Sequence, residues 1–179
     1  SKCTVITVYD MIHELFNYYQ PPYHRGWAEK NISINRADHI ICISEHTRKD
    51  LIELFGIEKE KTSVVHLAYD NSVIVDDELD NERPFLLYVG WREWYKNFKP
   101  FLKSISRSKS IMNDFDIIAF GGGVFTLEEL KLMRKLGFRD GQVKQISGSD
   151  DLLAKYYSKA RAFIFPSLYE GFGLPPLEA

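Results

Sequence analysis

The sequence predicts an α/β protein built from two units, each with a parallel β-sheet flanked by helices. Short β-branched runs alternate with amphipathic helical segments, the alternation stops in an acidic stretch between residues 70 and 84, and it restarts at Phe85. We therefore predict one unit at residues 1–75, a linker at 76–84 and a second unit at 85–179. The first unit begins with a strand and the second stops within a helix, so both are expected to be incomplete.

The first unit carries signals for three strands and two helices. The predicted segments are strands Thr4–Val8, His39–Ile43 and Thr62–Leu67, a helix at about Gly26–Arg36 and a second helix between Ser44 and Gly56. Ser44 is a suitable N-cap, because its hydroxyl can accept a hydrogen bond from a free N–H group of the first turn. Gly56 is expected to end that helix.

The second unit repeats the strand and helix alternation. The predicted strands are Phe85–Val89, Ile117–Phe120, Val143–Ile146 and Ala162–Phe165. The predicted helices are Phe98–Ser108, Leu127–Leu136, Asp151–Ala160 and a last one that begins at Leu174.

Composition excludes several classes of protein. With 45% hydrophobic and 27% charged residues, the 179-residue chain is expected to be globular. A net charge of −2 gives no basic surface for nucleic acid. Cys3 and Cys42 suggest neither a disulfide framework nor a zinc site, which favours a reducing, cytoplasmic compartment. No apolar run approaches the roughly 18 to 20 residues of a membrane span, so any membrane contact is expected to be peripheral.

The clearest motif lies near the end of the chain, where Glu170-Gly171-Phe172-Gly173-Leu174 leads into Pro175-Pro176-Leu177-Glu178. It follows an apolar strand and opens a helix. The two glycines allow the backbone to approach a ligand closely, and the helix N-terminus favours an anion such as a diphosphate. Glu170 and Glu178 are separated by seven residues and can accept hydrogen bonds from hydroxyl groups.

A second motif follows the predicted strand Phe85–Val89. Gly90 begins a turn that contains Arg92 and Lys96 and leads into a helix. Fixed cations at such a turn can stabilise the charge of a departing diphosphate without a divalent metal. Exposed surface charge at a helix start is the alternative interpretation.

Two further loops follow strands. Gly121-Gly122-Gly123 could admit a phosphate or nucleotide near the backbone, although Thr126 stands where a nicotinamide-binding fingerprint needs glycine. Asp10 and His13 follow the first strand, at the carboxyl end where a ligand cleft is expected. A histidine on such a loop is more often plain surface than catalytic.

The block from Pro166 to Ala179 resembles the retaining glycosyltransferases of family four, and the resemblance extends over nearly the whole chain. It implies the GT-B fold, with two Rossmann-like, doubly wound domains: an N-terminal acceptor domain and a C-terminal donor domain. By resemblance, Glu170 contacts hydroxyls of the donor sugar and Glu178 the ribose of the nucleotide. The implied catalytic residues are Glu170, Lys96, Arg92 and Asp10. The implied donor-binding residues are Gly90, Arg92, Lys96, Gly122, Glu170, Gly171, Phe172, Gly173, Leu174 and Glu178.

No metal or cofactor is expected, beyond the nucleotide-diphosphate sugar as substrate. Asp114-Phe115-Asp116 has the spacing of the metal-binding Asp-x-Asp of the other large glycosyltransferase fold. We reject that role because the motif precedes a buried strand, whereas ligands gather at the carboxyl ends of strands.

The resemblance implies transfer of a hexose to the hydroxyl of a saccharide or lipid-linked acceptor, and we expect this reaction to require the missing parts of both domains. It also suggests GDP-mannose as donor and surface polysaccharide as product, made in the cytoplasm or at the inner face of the membrane. The isolated chain is expected to be inactive. Two alternatives stay open: a non-catalytic α/β domain that binds nucleotide sugars, and a nucleotide-sugar epimerase of the same fold.

Overall fold

A computed structural model describes residues 3–16, 26–69, 83–92 and 94–179. The chain forms two compact units. Unit 1 comprises Ser1–Ala68 together with Tyr169–Leu174, and unit 2 comprises Tyr69–Leu168 together with Pro175–Ala179. Most of the linker predicted at residues 76–84 lies outside the described residues, so that boundary stays a prediction.

Unit 1 contains a parallel three-stranded sheet in the order β1-β2-β3. The strands are β1 (Val5–Val8), β2 (His39–Cys42) and β3 (Thr62–Val64). In the register, Val5 lies opposite His39 and Ile40 opposite Thr62. The third strand is shorter than the predicted Thr62–Leu67: its register with β2 ends at the pair Cys42 and Val64, and the Val65 N–H then donates to the Cys42 carbonyl at 2.9 Å.

The helices of unit 1 are α1 (Ile12–Leu15), α2 (Gly26–Arg36) and α3 (Glu45–Phe55). As predicted, the Ser44 hydroxyl caps α3 by accepting from the Thr47 N–H at 3.0 Å, and Gly56 ends it in the left-handed conformation. The apolar core of the unit contains Val8, Met11, Ile34, Ala37, Ile40, Cys42 and Leu51. Burial raises the pKa of the Cys42 thiol to about 11, so this thiol belongs to the core.

Unit 2 contains a parallel four-stranded sheet in the order β6-β5-β4-β7. The strands are β4 (Phe85–Val89), β5 (Asp116–Phe120), β6 (Val143–Ile146) and β7 (Ala162–Phe163). Alternate residues of β4 enter different cores: Leu86 and Tyr88 belong to one apolar cluster, Phe85 and Leu87 to another. The sheet is therefore covered on both faces, as a doubly wound α/β fold requires.

The helices of unit 2 are α4 (Phe98–Ile105), α5 (Lys109–Asp114), α6 (Leu127–Lys135), α7 (Asp150–Lys159) and α8 (Leu174–Glu178). The single helix predicted over Phe98–Ser108 is wrong at its end: α4 stops at Ile105, and the Ser108 side chain caps a separate helix, α5. Strand β7 is also shorter than the predicted Ala162–Phe165. Among the described residues, none of the helices is long and apolar enough to cross a membrane.

Candidate functional site

Two glycine loops of unit 2 touch where β4 and β5 end. The Gly90 N–H donates to the Phe120 carbonyl at 2.9 Å, and Gly90 has a positive φ of 110°. At Gly122 a Cβ atom would lie 2.8 Å from the Gly90 carbonyl oxygen and 2.7 Å from Nη1 of Arg92. Glycine at Gly122 therefore allows the loop after β5 to lie against the loop after β4.

Arg92 is buried beneath these loops, with an exposed fraction of only 4%. Its Nε donates to Glu129 at 2.8 Å, and its two terminal nitrogens each donate at 3.0 Å to carbonyls of the loop after β5, those of Gly121 and Val124. The guanidinium carbon lies 4.7 Å from the Phe125 ring centroid. Direct contact between Arg92 and the donor stays a prediction, and these contacts favour an indirect role as a brace of the loop.

Glu129 completes this brace from helix α6. Its carboxylate accepts from Arg92 and from the Thr126 N–H at 2.7 Å, while the Thr126 hydroxyl accepts from the Glu129 N–H, which makes a capping box. Burial by itself raises the pKa of the Glu129 carboxyl, but the hydrogen bonds and charge of Arg92 and the Thr126 N–H together hold that pKa below its ordinary value. Glu129 is therefore a charged partner of Arg92 inside unit 2.

Lys96 lies in a 3-10 turn, Trp94–Lys96, directly before α4. Its Nζ is 5.3 Å from the centroid of the Tyr95 ring. The buried Tyr88 hydroxyl donates to the Trp91 carbonyl and lies 3.4 Å from the Lys96 carbonyl, so one side chain spans the turn. Lys96 is thus placed at the carboxyl end of β4, on a backbone that the core of unit 2 holds.

The same turn is tied to the segment after β7. The Leu168 N–H donates to the Tyr95 carbonyl at 2.7 Å, and the Asn97 side chain donates to the Pro166 carbonyl at 3.1 Å. Asn97 itself has a positive φ of 59°, a conformation that asparagine tolerates better than most residues. Unit 2 therefore brings the segment between β7 and the glutamate motif close to the turn that carries Lys96.

The glutamate motif is divided between the two units. Glu178 is the last residue of α8 in unit 2, and its carboxylate accepts from the Tyr157 hydroxyl at 3.1 Å. Burial raises the pKa of the Tyr157 hydroxyl, and the charge and hydrogen bond of Glu178 raise it further, so Tyr157 stays a donor. The Tyr157 hydroxyl thus orients the carboxylate of Glu178, the residue to which the resemblance assigns contact with the ribose.

Glu170 to Leu174 belong to unit 1. Gly171 is buried against the end of β1: a Cβ atom there would lie 1.9 Å from the Tyr9 carbonyl oxygen and 3.1 Å from Cβ of Asp10. Gly173 has a positive φ of 92°, and the Phe172 ring lies 5.8 Å from that of His66. The structure thus places the backbone beside Glu170 against the residues that follow β1, a contact that we did not predict from the sequence.

Asp10 sits in a polar cluster of unit 1. Its carboxylate accepts from the Ile12 N–H at 3.0 Å and lies 3.9 Å from Nζ of Lys30. Lys30 also donates to the Asp10 carbonyl and to Glu14 at 2.8 Å. A cavity of about 380 Å³ opens here; it is lined by Ile6, Thr7, Val8, Tyr9, Asp10, His13, Lys30 and Ser33.

Asp116 of the Asp-x-Asp spacing lies at the amino end of β5 with an exposed fraction of 5%. Its carboxylate is within 3.7 Å of Arg83, Arg139 and Lys144. The described residues contain no group of three or more His, Cys, Asp or Glu side chains placed to hold a metal ion. Asp116 is thus paired with cations of its own unit.

The structure defines this protein as an α/β chain of the GT-B type, with glycine-containing loops at the carboxyl ends of parallel strands. It matches the solved structure of Anabaena HepE in complex with UDP and glucose, with a TM-score of 0.75 and 16% identity, over 99% of this chain and 50% of that one.

The chain belongs to the family described as glycosyl transferases group 1, whose profile matches residues 72–179. A second profile, glycosyltransferase family 4, matches residues 2–73. The chain is 26% identical to the O-antigen chain mannosyltransferase RfbU of Salmonella typhimurium, over 94% of this chain and 48% of that protein. It is also 26% identical to O-antigen chain mannosyltransferase B of Escherichia coli, over 93% and 49%. The chain thus spans about half the length of these relatives.

Proposed function

We propose that this protein is a retaining glycosyltransferase that moves a hexose from a nucleotide-diphosphate sugar to an acceptor hydroxyl. The position of Lys96 carries the proposal: it lies at the carboxyl end of β4, directly before α4 and next to the turn that begins at Gly90. Ligands of open α/β sheets bind at that end of the strands, and a lysine near a helix N-terminus favours an anionic group.

The chemistry follows from charge. When the bond between sugar and phosphate breaks, negative charge grows on the departing diphosphate, and the Lys96 ammonium stabilises it. By resemblance, Glu170 accepts hydrogen bonds from the sugar hydroxyls and Glu178 from the ribose. The acceptor hydroxyl then attacks the oxocarbenium-like centre from the face that the diphosphate leaves and gives its proton to an oxygen of the departing diphosphate, so no protein nucleophile is needed and no metal is invoked.

The relatives suggest the donor and the setting. Two of them are named O-antigen chain mannosyltransferases, which supports GDP-mannose as donor and surface polysaccharide as product. The acceptor would be a saccharide or a lipid-linked saccharide, met in the cytoplasm at the inner face of the membrane.

Nucleotide binding by the 179-residue chain tests the phosphate role of Lys96. Calorimetric titration with GDP, UDP and ADP, in buffer containing EDTA, should show binding of at least one nucleotide to the wild-type chain. Lys96→Ala should weaken that binding by about tenfold or more, the usual effect of losing a charge-assisted hydrogen bond.

Lys103→Ala is the matched control, because it removes an exposed lysine from the last turn of α4. Its nucleotide affinity should equal that of the wild type. Equal affinities for the wild type and Lys96→Ala would show that Lys96 does not bind the diphosphate. Binding that is absent in EDTA but present when EDTA is replaced by a divalent metal ion would show that a metal holds the diphosphate.

A further inference from the structure

Helix α3 holds the backbone on both sides of Glu170. On one side, the Tyr169 hydroxyl donates to Asp50 at 2.6 Å. On the other, the Gly171 carbonyl accepts from the Ser44 hydroxyl at 2.5 Å and from the Thr47 hydroxyl at 3.1 Å. All of these residues belong to unit 1.

The three anchors recur every third residue, from the N-cap of α3 into its second turn. Residues three apart lie on neighbouring turns of one helix face, so Ser44, Thr47 and Asp50 form one polar stripe. Helix capping accounts for Ser44, but it gives no reason for the hydroxyl of Thr47 or the carboxylate of Asp50 to point at the same loop.

Two of these anchors, Thr47 and Asp50, are largely shielded from water. Thr47 is fully buried, and the Asp50 side chain is 13% exposed. Burial raises the pKa of the Tyr169 hydroxyl, and the hydrogen bond and charge of Asp50 raise it further, so the phenol stays protonated and donates. Hydrogen bonds with little water to compete for them hold a defined geometry.

The loop is also confined from the side of β1. Because a Cβ atom at Gly171 would meet the Tyr9 carbonyl oxygen at 1.9 Å, the backbone has no room to move closer to that strand. Hydrogen bonds to α3 hold the loop on one side, and steric contact with the end of β1 limits it on the other. Both together set the backbone position of Glu170.

We propose that Ser44, Thr47 and Asp50 are positioning residues that place Glu170 for contact with the donor sugar. This inference rests on the proposed function, in which Glu170 accepts hydrogen bonds from that sugar. The three anchors act through the loop backbone and touch neither the sugar nor the nucleotide. Their loss should therefore weaken recognition of the sugar while leaving recognition of the nucleoside diphosphate unchanged.

The test compares the affinities of GDP-mannose and GDP, and of UDP-glucose and UDP, for each variant. Thr47→Val removes one hydroxyl at nearly constant volume, and Tyr169→Phe removes the donor to Asp50. For the nucleotide that binds the wild type, each variant should lower the ratio of sugar-nucleotide to nucleotide affinity by about threefold to tenfold, the usual effect of one net hydrogen bond. Thr47→Ser keeps the hydroxyl and should restore the ratio. Lys49→Ala, on the exposed side of α3, should leave it unchanged.

Hydrogen exchange of the backbone amides at 169–174 gives a readout that needs no ligand. Exchange should be faster in Thr47→Val and Tyr169→Phe than in the wild type or Lys49→Ala. Protection that stays at the wild-type level, or an unchanged affinity ratio despite faster exchange, would overturn the positioning role. A wild-type chain that binds none of the nucleotides would instead count against the proposed function, and the exchange data would still decide whether α3 anchors the loop.

Discussion

The two units hold the loops at their strand ends by different means. In unit 2 the loop after β5 rests on a buried ion pair, Arg92 and Glu129. In unit 1 the loop beside Glu170 rests on hydrogen bonds of single hydroxyls, those from Ser44 and Thr47 to Gly171 and that from Tyr169 to Asp50, and none of these bonds pairs two charges. A buried charge that loses its partner costs far more free energy than a neutral hydrogen bond that is lost. The unit 2 loop is thus coupled to the stability of its unit, whereas the unit 1 loop can be altered at small cost.

The largest effect is expected from breaking the ion pair. Glu129→Ala leaves the Arg92 guanidinium buried without its charged partner and should lower the free energy of unfolding of unit 2 by about 3–5 kcal/mol. Urea titration followed by circular dichroism measures this change. The control is Glu128→Ala, next in sequence, whose exposed carboxylate pairs with Lys99 at 3.2 Å and should contribute no more than about 1 kcal/mol. Equal losses in the two variants would refute the brace.

A smaller effect is expected from crowding the unit 1 loop. Gly171→Ala places a methyl group on the Tyr9 carbonyl and should destabilise unit 1 by about 1–3 kcal/mol. Gly123→Ala offers a comparison, because its methyl group would meet nothing within 4 Å but its φ is +71°. That variant should lose about 1–2 kcal/mol from backbone strain alone. An unfolding midpoint that is the same in Gly171→Ala as in the wild type would show that the loop moves to accommodate the methyl group without loss of stability.

The ion pair should also respond to pH. Because the pKa of Glu129 is lower in the folded chain than its ordinary value of 4.5, its contribution to stability is present above about pH 4.5 and is lost as pH falls through the folded-state pKa. The urea midpoint of the wild type should therefore drop more between pH 5 and pH 3 than that of Glu129→Gln. Parallel pH profiles for the two proteins would contradict the pKa shift.

The smallest effect concerns Tyr157 and Glu178. Tyr157→Phe removes one hydrogen bond to an exposed carboxylate and should lower stability by about 0.5–1.5 kcal/mol. A double-mutant cycle with Glu178→Ala isolates the pair, and thermal unfolding of the four proteins gives its coupling energy. A coupling energy of zero would mean that the hydroxyl and the carboxylate do not interact in solution.

Much of the fold could be predicted because local signals agree with it. The strand Phe85–Val89 and the helix Gly26–Arg36 have the predicted bounds, and Ser44 caps α3 as its position suggested. The errors lie where local pattern is weak. Ser106 to Ser108 interrupt a helix that apolar periodicity alone would continue, and the last residues of β3 and β7 depend on pairing with a neighbour.

The candidate site was predictable as motifs but not as contacts. The sequence identifies these candidates by a glycine after a strand, by a cation before a helix and by the spacing of two glutamates: Gly90, Lys96 and the block from Glu170 to Glu178. We did not predict the capping box of Thr126 and Glu129, although its spacing is visible in the sequence, and nothing in the sequence pairs Glu129 with Arg92, 37 positions away. Thr47 and Asp50 look like ordinary helix residues, because their partners lie more than 110 residues along the chain.

The segment Tyr169–Leu174 leaves the end of unit 2 to complete unit 1. Ser44 and its partner Gly171 are 127 positions apart, so a chain growing from its N-terminus makes the helix long before the ribosome delivers the segment that docks on it. Closing so long a loop is slow compared with forming local structure. Folding of unit 1 is therefore completed only after the chain has been synthesised through Leu174, and a translational stop before Tyr169 would leave the Thr47 and Asp50 face open to solvent.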